Sequence, residues 1–387
     1  MSGALKRDEW ETVRLGDVCD KVERVSPKSF SEIYYVDISS IDRHSKSVSS
    51  PQRIRFETAP ASARQLLKKT DILISTVRPN LNAVAIHETD SDIPTIGSTA
   101  LCVLRCCDTI SFRYVFHFTQ SDYFIKPLVN VATGACYPTV KNRDVLNVEI
   151  PLPPLDIQRR IAETLDKVTE LITLRKTQLE KLDELVKARF VEMFGDPKYN
   201  KSILVKIGEI GALTSGGTPS RAKPEYFEGD IRWYSAGELN SLYLPDSVEH
   251  ISETALQQSS AKLFSKGTLM IGMYDTAAFK LGILTEDSSS NQACANLNPK
   301  RGYNIVWLYY LFDIMKPIFL QERQGVRQKN LSLSKIKEFE VPFAPFELQE
   351  QFAAFVKQIN KAKAPIQQSL DTLETLKKSL MQEYFGQ

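Results

Sequence analysis

Two long stretches of the sequence place apolar residues at alternating steps of three and four positions. Each pattern begins after a proline-rich strip, Pro151-Leu152-Pro153-Pro154 in the first stretch and Pro342-Phe343-Ala344-Pro345 in the second. Because proline fixes its own φ and biases the preceding residue away from helix, each helix is predicted to begin beyond its strip. The apolar positions are Ile161, Leu165, Val168, Ile172, Leu179, Leu182, Val186 and Met193, and then Phe352, Val356, Ile359, Ile366, Leu370, Leu373 and Leu380.

A stripe this narrow is typical of a helix that packs on another helix rather than on a broad core. About 30–35 residues at a rise of 1.5 Å per residue give a rod of about 45–52 Å. Arg175, Arg189, Lys363 and Lys377 interrupt the two seams, and Pro365 predicts a kink. The simplest partner for each helix is the other, which predicts an antiparallel coiled coil with a pseudo-twofold axis. The alternative is a pair of core helices in a helical bundle.

The two stretches belong to an internal repeat with a period of about half the chain. Val13-Arg14-Leu15-Gly16-Asp17-Val18 matches Val205-Lys206-Ile207-Gly208-Glu209-Ile210 at an offset of 192, and Gln158 matches Gln349 at 191. Offsets that vary before the strips and stay constant after them indicate loops of unequal length on a common framework. The sequence therefore predicts two globular domains, residues 1–150 and 196–341, and two spacer helices, residues 151–195 and 342–387.

The globular domains are predicted to be mixed α/β. Short β-rich runs at residues 33–38, 71–75, 82–86 and 101–104 lie between turn residues. Helical spacing is clearest at residues 112–124 and 305–315, and each of these presents one aromatic face. We expect both aromatic faces to lie in the core, because they belong to the repeated framework rather than to its loops.

Composition and charge narrow the class of protein. The 387 residues suit two or three domains, and the formal net charge is only +2. A nucleic-acid binder of this composition must concentrate its basic groups locally. The six cysteines are scattered, which favours reduced thiols and predicts a cytoplasmic protein. Neither a membrane span nor a secretory signal is expected, because the apolar runs are short and the first ten residues carry charges.

Catalytic motifs are not evident. The sequence has no Gly-x4-Gly-Lys-Ser/Thr loop, no amino-methyltransferase Asn/Asp-Pro-Pro-aromatic motif and no zinc-like spacing among its four histidines. The cysteine group at residues 102–107 is typical of buried thiols. A non-catalytic binding protein is therefore predicted, without any metal or cofactor of its own. An enzyme with an unrecognised site, at residues 102–107 or at Tyr274-Asp275, is the open alternative.

The loops of the repeat carry the candidate binding residues. Arg78, Asn80 and Asn82 follow a predicted strand, and in the major groove of DNA arginine reads guanine while asparagine reads adenine. Hydroxyls, amides and cations in matching loops suit phosphate anchoring and base reading together. The remaining candidates are Thr133, Tyr137, Thr139, Lys141, Ser215, Thr218, Ser220, Arg221, Lys223, Tyr274, Thr276, Arg327, Gln328, Lys329 and Asn330.

Taken together, these features resemble the DNA-specificity subunit of Type I restriction-modification systems over essentially the whole chain. The resemblance rests on these segments: Trp10-x2-Val13-x-Leu15-Gly16-Asp17, Pro151-Leu152-Pro153-Pro154-Leu155-x2-Gln158, Gly216-Gly217-Thr218-Pro219-Ser220 with Ile231-Arg232-Trp233, and Pro342-x2-Pro345-x3-Gln349. It implies two target-recognition domains, each reading one half of a split site on double-stranded DNA, held apart by the paired helices.

The resemblance also implies partners. Two copies of a modification subunit, which carries S-adenosylmethionine and methylates adenine, would dock on the spacer formed by the seam residues with Gln158 and Gln349. An ATP- and magnesium-dependent restriction subunit would cut foreign DNA. Base flipping and methyl transfer would then belong to the partner. The competing hypothesis is a coiled-coil scaffold that recruits enzymes without reading DNA.

Overall fold

The computed structural model describes residues 10–26, 29–200, 203–323 and 330–386. The chain forms two compact units. Unit 1 comprises Met1–Lys176 with Gln368–Gln387, and unit 2 comprises Thr177–Gln367. Each unit therefore contains one mixed α/β part and a portion of both long helices.

Among its described residues, unit 1 holds three sheets and three short α-helices. Its strands are β1 (Glu11–Arg14), β2 (Cys19–Asp20), β3 (Glu32–Val36), β4 (Ile41–Asp42), β5 (Ser47–Val48), β6 (Gln52–Arg55), β7 (Ala63–Leu66), β8 (Ile72–Ser75), β9 (Val84–Ile86), β10 (Thr95–Ser98), β11 (Leu101–Cys106) and β12 (Glu149–Leu152). Its helices are α1 (Phe112–Phe118), α2 (Asp122–Val131) and α3 (Asn142–Leu146). The strand orders are β1-β12, β6-β3-β10-β7 and β2-β11-β8-β9-β5-β4.

The predicted strands of unit 1 are present within two residues of their expected ends. Asn82 lies outside β9 in the left-handed region, at φ 45°, so the strand begins only at Val84. The helical segment predicted at residues 112–124 is interrupted. It is divided into α1 and α2, because the Ser121 side chain accepts a hydrogen bond from the backbone N–H of Phe124 and starts a new helix.

Unit 2 repeats the plan with fewer strands. Its elements are β13 (Leu204–Lys206), α5 (Ile207–Ile210), β14 (Gly211–Ser215), β15 (Ile231–Tyr234), β16 (Glu249–Ile251), α6 (Glu253–Gln258), β17 (Leu269–Gly272), β18 (Leu281–Ile283), β19 (Ser289–Ser290), β20 (Cys294–Pro299), α7 (Ile305–Phe319), α8 (Leu333–Glu338) and β21 (Glu340–Pro342). The strand orders are β13-β21, β14-β20-β17-β18 and β16-β15-β19.

Unusual backbone conformations recur at equal spacing in the two units. Thr70, Arg78 and Asn82 have positive φ in unit 1, and Gly267, Asp275 and Phe279 have positive φ in unit 2. Each residue of the second set lies 197 positions after its counterpart. Since non-glycine residues rarely adopt positive φ, a shared set of three such positions indicates that both units are built on the same framework.

The aromatic faces of α1 and α7 lie in the cores, as predicted. In unit 1, Tyr114 and Phe118 are buried and their rings lie 5.2 and 5.5 Å from that of Phe385. In unit 2, Trp307 lies 5.9 Å from the ring of Phe194. Phe385 and Phe194 each belong to the last turn of a long helix, so each helix end completes the core of one unit.

The long helices are α4 (Leu155–Phe194) and α9 (Phe346–Phe385), each of 40 residues. Both begin directly after their proline strip, as predicted, and α9 continues unbroken through Pro365. Inside unit 1, Lys176 of α4 pairs with Glu374 of α9 at 2.8 Å. Inside unit 2, the rings of Phe190 and Phe352 lie 5.2 Å apart. The helices therefore contact each other within each unit. None of the helices in the described ranges combines the length and apolar character that a membrane crossing requires.

Candidate nucleic-acid interface

Two loops of unit 1 that the sequence marks separately lie side by side. Val77, directly after β8, forms a backbone bridge with Thr139, and the backbone N–H of Arg78 donates to the carbonyl of Pro138 at 2.7 Å. Thr139 also exchanges both backbone hydrogen bonds with Thr133, at 2.8 and 3.0 Å. These bonds join the two loops into one exposed patch, which we call the first loop surface. It comprises Arg78, Asn80, Thr133, Tyr137, Thr139 and Lys141.

Arg78 is the cation of the first loop surface that stacks on an aromatic ring. Its guanidinium lies 4.6 Å from the centre of the Tyr137 ring and donates to the carbonyl of Cys136 at 3.4 Å. Tyr137 itself is 65% exposed. A guanidinium has five N–H donors, so most of them stay free for a ligand, while stacking on the ring limits the side chain's motion. Arg78 is thus held in place with its donors available to a guanine edge or a phosphate.

The turn that carries Tyr137 depends on a glycine. Gly134 has φ 110°, and a Cβ at this position would lie 2.9 Å from the carbonyl oxygen of Tyr137. A side chain there would be strained by both the backbone angle and the contact. The glycine at the start of this loop therefore has a structural reason, and the exposed ring of Tyr137 depends on it.

Asn82 does not belong to this surface, which corrects the sequence prediction. Its Nδ2 donates to the carbonyl of Thr119 at 2.7 Å, and its Oδ1 accepts from Nζ of Lys46 at 2.7 Å. Because both ends of the amide already have partners, adenine reading by Asn82 would have to share or break these bonds. Asn82 fixes the end of the Arg78 turn. Lys46 was missed from the sequence, since no local pattern connects it to a residue 36 positions away.

In unit 2, the loop after β14 approaches the backbone of a neighbouring segment closely. A Cβ on Gly217 would lie 2.0 Å from the carbonyl oxygen of Ser260, so this position accepts only glycine without rearrangement. Nε1 of the buried Trp233 donates to the carbonyl of Gly217 at 3.0 Å. Thr218, the next residue, is half-buried and its hydroxyl donates to the side chain of Gln292. The glycine motif therefore fixes the path of the loop.

The charged end of this loop makes contacts within unit 2. Arg221 makes two hydrogen bonds to the carboxylate of Glu249, at 2.5 and 2.7 Å, and lies 4.2 Å from the centre of the Phe227 ring. The hydrogen bond from Arg221 lowers the pKa of Glu249 and keeps it ionised. Arg221 therefore helps to hold the loop, and its contact with DNA stays a prediction. Lys223 donates to the hydroxyl of Tyr226 at 2.9 Å and keeps two of its three donors.

We call the exposed and half-buried candidate residues of this loop, of the turn after β17 and of the segment that meets that turn the second loop surface. It comprises Ser215, Thr218, Ser220, Lys223, Tyr274, Thr276 and Asn330. The backbone N–H of Asp275 donates to Oδ1 of Asn330 at 3.1 Å, and the backbone N–H of Leu331 donates to the carbonyl of Met273. The turn after β17 thus meets residues 330–331 as the turn after β8 meets residues 138–139. Arg327, Gln328 and Lys329 lie outside the described residues.

The two helix-start glutamines are buried, which corrects their assignment to a partner-binding surface. Oε1 of Gln158 accepts from the backbone N–H of Ser111 at 2.8 Å, and its Nε2 donates to the carbonyl of Pro153 at 2.8 Å. Gln349 makes the same pair of bonds, to the N–H of Asn304 at 2.8 Å and the carbonyl of Ala344 at 2.7 Å. Each glutamine therefore joins a long helix to the start of α1 or α7.

The cysteine group lies inside unit 1. Burial and the neighbouring Cys19 raise the pKa of the Cys102 thiol to about 12. A hydrogen bond with Cys19, together with burial, raises the pKa of Cys106 further. Nucleophilic cysteines have lowered pKa values, so this environment favours inert thiols.

Comparison with known proteins shows the family of the chain. A family model described as Type I restriction modification DNA specificity domain matches residues 7–184 and again residues 201–375. The chain belongs to this family. The two matched ranges fall one in each half of the sequence, so the family's domain is present twice.

Relatives in the family match parts of the chain. The Type I restriction enzyme MjaIX specificity subunit of Methanocaldococcus jannaschii is 28% identical over 185 residues, which are 46% of this chain and 43% of that protein. The EcoR124I/EcoR124II specificity subunit of Escherichia coli is 25% identical over 225 residues, 52% of this chain and 53% of the relative. The chain thus spans about half the length of these two relatives.

Solved structures share the fold over nearly the whole length. A chain from a structural study of complex assembly and conformational transition of the type I R-M system has a TM-score of 0.59 at 24% identity. The match covers 97% of this chain and 98% of that chain. The S subunit of a Type-I restriction-modification system from M. genitalium has a TM-score of 0.58 at 15% identity. The match covers 100% of this chain and 97% of the M. genitalium chain.

Proposed function

We propose that this protein is the DNA-reading specificity subunit of a Type I restriction-modification system and that it recognises a target in two separated parts. One observation supports this most directly. The family's DNA specificity domain occurs twice, and in each copy a turn with left-handed residues at corresponding positions follows a central strand and carries part of a loop surface. Two similar DNA-binding domains on one chain suit a DNA target that consists of two separated parts.

The long helices would set the distance between the two readers. Forty residues at 1.5 Å each make a rod of about 60 Å, longer than the roughly 34 Å of one turn of DNA. We propose that α4 and α9 form an antiparallel coiled coil that relates residues 1–150 and 196–341 by a pseudo-twofold axis. The contacts of Lys176 with Glu374, and of Phe190 with Phe352, support this pairing.

The chemistry would be carried by partners. We propose that two modification subunits with S-adenosylmethionine dock on the spacer helices and methylate adenine in cytoplasmic DNA. A restriction subunit using ATP and magnesium would complete the complex, with this chain itself non-catalytic. Since the net charge is only +2, the free chain would bind DNA weakly, and the modification subunits would complete a clamp around the duplex. A scaffold that ignores DNA is less favoured, because the matched family is defined by DNA specificity.

Mapping methylated adenines in a genome that carries this chain with its modification subunit tests the proposal. We expect one motif with two short specified parts separated by unspecified bases. Methylation without sequence preference, or methyl transfer by the purified chain alone, would contradict it. A second measurement compares duplex binding by the chain alone and by the complex at moderate salt, and equal affinities would refute the clamp.

A further inference from the structure

Two lysines of unit 1 have no carboxylate in ion-pair contact among the described residues, and one of them, Lys46, lies beside the first loop surface. Lys46 ends the turn between β4 and β5, and its Nζ donates to the carbonyl oxygen of Asn82 and to Oδ1 of the same residue, at 2.5 and 2.7 Å. An ammonium has three donors, so one remains. Among the residues that the structure describes, Lys46 forms no ion pair.

Lys377 occupies a seam position of α9, where the pattern calls for an apolar residue, and it is half-buried. The other seam lysine, Lys363, pairs with Asp183 at 2.5 Å inside unit 2. Lys377 has no such ion pair within the described part of the chain. One seam lysine is therefore neutralised by this protein, and the other is not.

Burial and neighbouring positive charge act on both lysines. Burial, together with the charge of Lys377, lowers the pKa of Lys46 to about 8. Burial and the charge of Lys176 lower the pKa of Lys377, against the attraction of Asp166. Lys176 is itself paired with Glu374 at 2.8 Å.

Asp166 compensates Lys377 only in part, because both of its oxygens already have partners. Oδ1 is 2.8 Å from Nε2 of His117, and Oδ2 accepts from Arg113 at 2.9 Å. Within the described residues, neither half-buried ammonium group has a carboxylate in ion-pair contact, and the charge of Lys377 opposes that of Lys46. An incoming anion would relieve both the repulsion and the desolvation.

We propose that Lys46 and Lys377 bind a backbone phosphate of the DNA whose bases are read at the first loop surface. The inference rests on the proposed function. Lys46 holds Asn82, which ends the turn that begins at Arg78, so a phosphate here would lie next to the base-reading residue. Phosphate contacts fix the register of a reader while base contacts select sequence. The site would therefore position the duplex for Arg78.

Salt dependence of DNA binding by the complex with the modification subunit tests the site. Each phosphate contact contributes about 0.9 to the slope of log affinity against log salt concentration. We expect Lys46→Met and Lys377→Met each to reduce that slope by about 0.9 and to weaken target and non-target duplexes by the same factor. Lys46→Arg and Lys377→Arg should restore the slope. Lys378→Met, at an exposed neighbouring position of α9, is the matched control and should leave it unchanged.

The outcomes separate this inference from the proposed function. If the wild-type complex binds no duplex, the proposed function fails. If it binds, and the methionine variants keep the wild-type slope, only the phosphate site is overturned. A loss of binding that arginine does not restore would also overturn it, because the lysines would then be needed for the fold rather than for their charge.

A spectroscopic measurement distinguishes DNA from a free anion. In the full chain with labelled lysines, NMR titration should show the pKa of Lys46 rising above its value of about 8 when duplex DNA is added. Inorganic phosphate at the same phosphate concentration should raise it far less. An equal rise with inorganic phosphate would overturn the assignment to DNA.

Discussion

Replacing Gln158 by methionine should destabilise unit 1 while leaving its volume nearly unchanged. The buried amide accepts from Ser111 and donates to Pro153, both at 2.8 Å. Methionine fills similar space but makes neither bond, so a half-buried N–H and a buried carbonyl lose their partner. Each unsatisfied group costs about 1–3 kcal/mol, which gives a loss of about 3 kcal/mol after partial relaxation. At 1.4 kcal/mol per tenfold, the amide of Ser111 should exchange its hydrogen about a hundredfold faster.

Native-state hydrogen exchange measures this effect residue by residue. Gln349→Met should do the same at Asn304 in unit 2, since its two bonds are equivalent. Gln351→Met, on the exposed face of α9, is the matched control and should change neither amide. If Gln158→Met leaves the exchange of Ser111 as in the wild type, the glutamine does not anchor the helix and the reasoning is refuted.

Three further predictions concern single side chains. Arg78→Lys keeps the positive charge but loses the planar guanidinium, so binding of the target duplex by the complex should weaken by about 1–3 kcal/mol, while binding of non-target duplexes stays nearly unchanged. An equal loss for target and non-target duplexes would contradict base reading by Arg78. Gly217→Ala places a methyl group against Ser260 and should lower the free energy of unfolding of unit 2 by about 1–3 kcal/mol, measured by urea denaturation. An unchanged free energy of unfolding would show that the loop adapts. Burial acts to raise the pKa of Asp166, but the hydrogen bonds from His117 and Arg113 outweigh it, and the pKa is lowered from 3.8. The ionised carboxylate therefore stabilises the folded state above pH 4, and this stabilisation is lost as the pH falls below 4. Acid unfolding of Asp166→Asn should therefore show a flatter pH dependence below pH 4 than the wild type does.

The long helices and the internal repeat are predictable because both follow from residue patterns that recur at regular spacing in the sequence. The seam repeats every three or four residues from Ile161 onward, and the proline strips fix where each helix can start. A local pattern of this kind needs no knowledge of distant contacts. The burial of Phe118 in the core follows from its place on a repeated aromatic face.

The candidate site is only half predictable, because its side chains choose partners far away in sequence. Asn82 and Arg221 have the residue types of DNA readers, yet Lys46 and Glu249 engage them from 36 and 28 positions away. Arg78 was correctly placed in an exposed loop, but its stacking on Tyr137 depends on two loops meeting through backbone bridges. Contacts of this range are set by the fold rather than by any local motif.

Exchange of one reader tests the central claim most directly. Residues 1–150 are replaced by the corresponding segment of a family member with a different target, and methylated adenines are mapped with the same modification subunit. The account predicts that one part of the two-part motif changes to that of the donor, while the other part and the spacing stay as in the wild type. An unchanged motif, or a change in both parts, would contradict the claim that each half of the chain reads one half of the site.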